Sequence, residues 1–164
     1  MSSDNPYTSE QTLALLAQTP QRIIELTGGL TPAQLRTSPS PDEWSANDVL
    51  AHLRSCSDVW NGCIRRILDE DKPTIRAINP TAWIKQTNYP ELEFTPSLRA
   101  YLAQRSDLLQ LLEPLPPAAW SRSATVTGAG APLQRTVLDY AARMARHERA
   151  HCRQLAKIGS ALLG

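Results

Sequence analysis

The chain has 164 residues and near-balanced charge, with 17 Lys and Arg against 16 Asp and Glu. That length suits a single domain over 1–164 with a real core, and the balance gives no electrostatic reason to expect nucleic acid. No apolar run approaches the ~20 residues that a membrane-spanning helix needs, and the start, Met1 to Pro6, is polar with no apolar signal core.

Cys56, Cys63 and Cys152 are odd in number and sit inside helical patterns. They read as reduced core residues of a cytoplasmic protein, not as a disulfide framework. The 13 prolines and 7 glycines point to rigid turns between well-defined elements.

A first helix is expected from about Ser9 to Gly28, with Leu13, Leu16, Ile23 and Ile24 on its apolar side. Pro20 interrupts it, and Thr19 is suited to cap a restart, so the pattern predicts a kink or two short pieces. The connector Leu30 to Trp44 carries too many prolines for a long helix, with one brief turn at Pro32–Leu35.

The second helix has a clear start. Ser45-Ala46-Asn47-Asp48 is a capping box with Ser45 at the N-cap. Val49, Leu53, Cys56, Trp60, Cys63 and Ile67 follow at alternating spacings of four and three, the seam of a bundle helix. His52 flanks that seam. Trp44 precedes the cap and suits a hydrophobic staple with Val49, or the wall of a pocket.

From Pro73 to Phe94 no clean periodicity survives, and the segment reads as a loop crossing the bundle, with a short turn near Thr81–Lys85. A third helix is expected from Thr95-Pro96 to Leu112, with Leu98, Tyr101, Leu102, Leu108, Leu109 and Leu112 inward. The linker Leu115 to Gln134 carries turn chemistry at Thr127-Gly128-Ala129-Gly130 and lacks the ending of a phosphate-binding loop. Leu30 to Leu35 and Leu115 to Trp120 echo each other weakly, each preceding a capped helix that bears histidine.

Thr136-Val137-Leu138-Asp139 is a second capping box and opens the fourth long helix. Its seam is Val137, Ala141, Met144, Glu148, His151, Leu155, Ile158 and Leu162, apolar except at one level. His147 and His151 stand four apart, so they share a helix face with Cβ atoms about 5–6 Å apart. With His52 they are the chain's only histidines. Three imidazoles suffice for an open metal site, and facing helices of a bundle build such sites. Imidazole ligands suit several transition metals.

His147 to His151 also fits the H-E-x-x-H zinc-protease pattern, but after Glu148 only His151 remains as a ligand of the His, Asp or Glu type. A third ligand has to come from His52, upstream, which fits a protease poorly. Glu148 can serve as a general base, a further ligand or an orienting acceptor, or pair with a nearby arginine. Asp48 suits either the cap or the second nitrogen of His52. Cys56 and Cys152 read as apolar filler, and Trp60 as core.

Two stretches, Glu43-Trp44-Ser45-Ala46-Asn47-Asp48-Val49-Leu50-Ala51-His52-Leu53 and His147-Glu148-Arg149-Ala150-His151-Cys152-Arg153-Gln154-Leu155, resemble the DinB-like (DinB/YfiT) family. That family shows a Trp-Ser helix start leading to a His-Leu pair, then H-x-x-x-H with a following Gln-hydrophobic step. The resemblance implies an all-α fold, a four-helix bundle with long crossing loops. It implies a divalent ion (zinc, nickel, iron or manganese) on His52, His147 and His151, and a homodimer. Relatives include mycothiol-dependent isomerases and bacillithiol S-transferases. The leading expectation is therefore a metal-dependent thiol S-transferase or isomerase that takes a low-molecular-weight thiol and a small electrophile. The alternatives are hydrolysis by metal-bound hydroxide with Glu148 as base, and a non-catalytic metal-binding stress or interaction module.

Overall fold

A computed structural model describes residues 7–164. Four long helices, α1 (Ser9–Thr27), α3 (Ala46–Asp69), α5 (Phe94–Leu112) and α7 (Val137–Leu163), carry the architecture, and one-turn helices α2 (Pro32–Leu35), α4 (Pro80–Trp83) and α6 (Pro117–Trp120) punctuate the linkers. Helix α1 packs on α7 and α5, and α3 packs on the same two. Consecutive long helices α1 and α3 thus lie across the bundle diagonal from each other, as do α5 and α7. No helix among the described residues is long and apolar enough to cross a membrane.

Both sequence-read capping boxes form. Ser45 Oγ accepts from Asp48 N at 3.1 Å while Asp48 Oδ2 accepts from Ser45 N at 3.0 Å, and Thr136 and Asp139 repeat the exchange at 3.0 and 2.8 Å. Each box satisfies two amide groups that the first helical turn leaves open. Helix α5 starts one residue before the expected cap, at Phe94, so Thr95 and Pro96 lie within its first turn, where a missing N–H costs nothing.

Pro20 does not divide α1, which runs unbroken through it. Thr19 is not a cap: its hydroxyl donates back to Leu15 O at 2.9 Å. Proline has no N–H for the carbonyl four residues earlier; here that carbonyl, Leu16 O, accepts from Arg105 Nη1 of α5 at 2.9 Å. Tertiary contact replaces the lost helical bond. Leu16 and Ile23 are buried as expected, but Ile24 is exposed.

The linkers hold structure that hydrophobic periodicity did not reveal. Strands β1 (Thr74–Arg76), β2 (Ser123–Thr127) and β3 (Leu133–Thr136) form a small sheet in the order β1-β2-β3. The first pair is parallel, with Ile75 opposite Val126, and the second antiparallel, with Thr125 opposite Gln134. Gly128 and Gly130 both take φ 86° in the turn between β2 and β3, a conformation that side chains disfavour. The two segments of the sequence echo each form a one-turn helix beginning on proline.

The segment between β1 and α5 crosses α3, as expected. Asp58 pins it, since Oδ2 accepts from Trp83 Nε1 at 3.0 Å and Tyr89 OH at 2.6 Å, while Oδ1 accepts from Gln104 Nε2 at 2.6 Å. Ser55 Oγ donates to Pro80 O at 2.6 Å. This cover explains why the first half of α3 is buried nearly all round.

The core falls into two apolar clusters. One gathers Trp60, Ile64, Leu108, Val137 and Met144 with the inner face of the sheet; the other gathers Ile23, Leu53, Tyr101, Leu155 and Ile158. Between them lies a polar layer containing His52, Arg105, His147, Glu148 and His151. All three cysteines are free; Cys56 and Cys152 are buried and Cys63 half-buried.

Candidate metal centre

Helix α7 presents His147 and His151 one turn apart, and α3 brings His52 to the same point. His147 Nε2 stands 3.1 Å from His52 Nε2 and 3.1 Å from His151 Nε2. One ligand atom from each of the three residues lies within 4.8 Å of the others. Two nitrogens bound tetrahedrally at zinc–nitrogen distances stand roughly 3.3 Å apart, so the spacing fits an ion held by all three.

The protonation states fit as well. Burial, with the charge of His151 second, pulls His52 down to about 4. Burial, then His151, His52 and Arg143, pulls His147 to about 3. His151 is also lowered, chiefly by burial. All three imidazoles are neutral at pH 7, the form that ligates a metal. Nδ1–H of His151 donates to Gln154 Oε1 at 2.8 Å, which leaves its Nε2 lone pair facing the cluster. His147 Nδ1 is buried without a partner. A single proton satisfies only one of the two contacts at His147 Nε2; a cation satisfies both.

Tryptophans frame the cluster. The Trp44 ring stacks parallel to His151 at 6.1 Å between centroids and tilts against His52 at 5.1 Å. Trp44, expected as a staple or pocket wall, serves as a wall and is 39% exposed. Trp60 is core, as expected, and also meets His147 edge-on at 5.1 Å. Trp44 borders two clefts. One, of about 560 Å³, brings His151, Gln154 and Lys157 together with Asp42 and Glu43. The other, of about 360 Å³, sets His52 beside Thr81, Ile84 and Pro90.

Glu148 is 1% exposed. Arg105 Nη2 donates to both of its oxygens, at 2.7 and 2.6 Å, and Tyr101 OH donates to Oε2 at 2.5 Å. Both partners come from α5, across the bundle diagonal. Asp48 serves the α3 cap. Cys56 Sγ lies 3.6 Å from Nε2 and 4.0 Å from Nδ1 of His52, nearly equal distances that put it beside the ring and off either lone pair. Burial raises the Cys56 thiol to about 12, so it is protonated filler.

Sequence reasoning missed Arg105, Tyr101's hydroxyl and Gln154's role. Arg105 left a signal: Tyr101, Arg105, Leu108 and Leu112 follow at spacings of four, three and four, and all are buried. An arginine on that seam needed a buried carboxylate, and Glu148 is the seam carboxylate of α7.

A helical bundle whose polar layer converges three neutral imidazoles defines the class: a four-helix-bundle protein with a candidate three-histidine metal centre. The model of the DinB superfamily matches residues 15–155, a span that holds all three histidines, and the chain belongs to that family. A similar solved structure is described as YfiT from Bacillus subtilis, a probable metal-dependent hydrolase with an unusual four-helix bundle topology. The two share 17% identity and a TM-score of 0.81 over 96% of this chain and 89% of that one. The family and fold expected from the sequence are both met. No curated protein matches the chain.

Proposed function

We propose that this chain is a metal-dependent enzyme that transfers a small thiol to an electrophile, with His52, His147 and His151 holding a divalent transition ion. The observation that carries the reading is the convergence of three imidazoles, with His147 Nε2 3.1 Å from both His52 Nε2 and His151 Nε2, beside two clefts that share Trp44. When bound, an ion here lowers the pKa of a coordinating thiol and leaves positions open for it. The cleft beside His151, which holds the charged groups of Lys157, Asp42 and Glu43, suits a zwitterionic thiol, and the smaller cleft beside His52, with Ile84 and Pro90, suits an electrophile. The thiol gives up its proton to solvent water, sulfur bonds to the electrophilic carbon, and the leaving group departs with the bonding electron pair.

Hydrolysis is the second reading, favoured by the description of YfiT. It needs a base for water, and Glu148 was the sequence's choice. With both oxygens taken by Arg105 and Tyr101, we assign Glu148 a positioning role that fixes α7 at the level of the histidines.

Elemental analysis of the purified protein tests the metal. About one equivalent of a transition metal, lost in His147→Ala/His151→Ala, supports the centre. Protein that is metal-free and fails to take up added zinc or nickel overturns it. With the metal in place, thiol-dependent consumption of 1-chloro-2,4-dinitrobenzene supports transfer. Thiol-independent turnover that Glu148→Gln abolishes while metal stays bound shifts the assignment to hydrolysis.

A further inference from the structure

A third cleft, of about 450 Å³, opens between the sheet and the first turns of α7; Trp60 lines it and also meets His147 edge-on. Its apolar wall includes Ile78, 53% exposed, and Leu133, 38% exposed. Its charge comes from two arginines. Arg143 sits with its guanidinium carbon 5.4 Å from the Trp60 ring centre, and Arg135 lies 6.0 Å from that of Tyr140. Neither arginine forms an ion pair with a carboxylate among the described residues, and no acidic side chain lines the cleft. Three arginines elsewhere are paired with acids: Arg36 with Glu93, Arg66 with Glu70, Arg105 with Glu148.

Two unpaired guanidiniums at the rim of an apolar pocket form a specific recognition pattern. The planar fork matches a carboxylate with two parallel hydrogen bonds, and aromatic faces behind the forks hold them in place. Exposed isoleucine and leucine gain by covering. We propose that this cleft binds a small organic carboxylate with an apolar body, its carboxylate on Arg135 and Arg143 and its body against Ile78 and Leu133. None of the three histidines lines this cleft, and the site stands whether or not the centre turns over a thiol.

Calorimetric titration of the full chain with acetate, hexanoate and 3-phenylpropionate tests this, with 3-phenylpropanamide as the uncharged control. Affinity should rise from acetate to 3-phenylpropionate, and the amide should bind about tenfold more weakly or worse. Arg143→Gln and Arg135→Gln, both at accessible positions, should each weaken the acid about tenfold while leaving the circular dichroism unchanged. His147→Ala/His151→Ala should keep the binding. No binding by any of the acids, equal binding of acid and amide, or unchanged binding in Arg135→Gln/Arg143→Gln overturns the assignment. Loss of binding in the histidine variant also overturns it, because the carboxylate is then captured at the imidazole cluster.

Discussion

Gln154 holds His151 by a single hydrogen bond, Nδ1–H to Oε1 at 2.8 Å, three residues along the same helix. That bond fixes the tautomer that turns Nε2 toward the other two imidazoles. Partners of this kind are typically worth about 10–100-fold in metal affinity. Gln154→Ala should weaken metal binding by that factor in a competitive chelator titration, while Gln154→Glu, which keeps an acceptor, should restore it.

The ion pair of Arg105 with Glu148 is among the most buried polar contacts in the protein. Removing one member of such a pair costs about 3–5 kcal/mol, because the other charge is left in the core. Arg105→Met should lower the urea midpoint by a corresponding amount. Arg105→Met/Glu148→Leu should recover only part of it, because Leu16 O and Tyr101 OH also lose their partners.

Protonation of the histidines opposes the fold when no metal is bound. Burial holds His52 at about 4 and His147 at about 3, both below the ordinary 6.5. As pH falls below 6.5 the unfolded chain takes up protons that the folded chain refuses, so stability falls with pH. The contribution is fully present above pH 6.5 and is lost progressively toward pH 3 to 4. Thermal melts of metal-free protein between pH 7.5 and 4.5 should fall more steeply than those of His52→Gln/His147→Gln/His151→Gln, which shares every other titrating group.

Asp58 is the anchor of the crossing segment. Asp58→Ala strips the acceptor from Trp83, Tyr89 and Gln104 together. The variant should lose about 1–3 kcal/mol, the cost of unpartnered buried donors. Limited proteolysis should then cut within 79–91 faster than in the parent chain.

What could be read from the sequence was what is local. Ser45 with Asp48 and Thr136 with Asp139 signal their helix starts within four residues, and His147 with His151 share a face by helical geometry alone. His52 entered through its place beside a seam and through family resemblance. The sheet could not be read this way, because strands of three to five residues give periodicity too little length and β1 pairs with β2 residues about fifty positions later. A separation of 43 residues likewise hid Arg105 from Glu148. Pro20 misled for a related reason: the rule that proline breaks a helix assumes that the freed carbonyl finds no other donor.

That carbonyl has a consequence of its own. Leu16 O accepts from Nη1 of the same arginine whose Nη2 grips Glu148. An isolated α1 therefore carries a gap at its centre that only α5 can fill, and α5 brings the donor as it meets α7. The middle turn of the first helix, the core ion pair and the helix that bears two of the three histidines consequently meet at one guanidinium. A proline that weakens one helix alone leaves three of them tied to a single side chain.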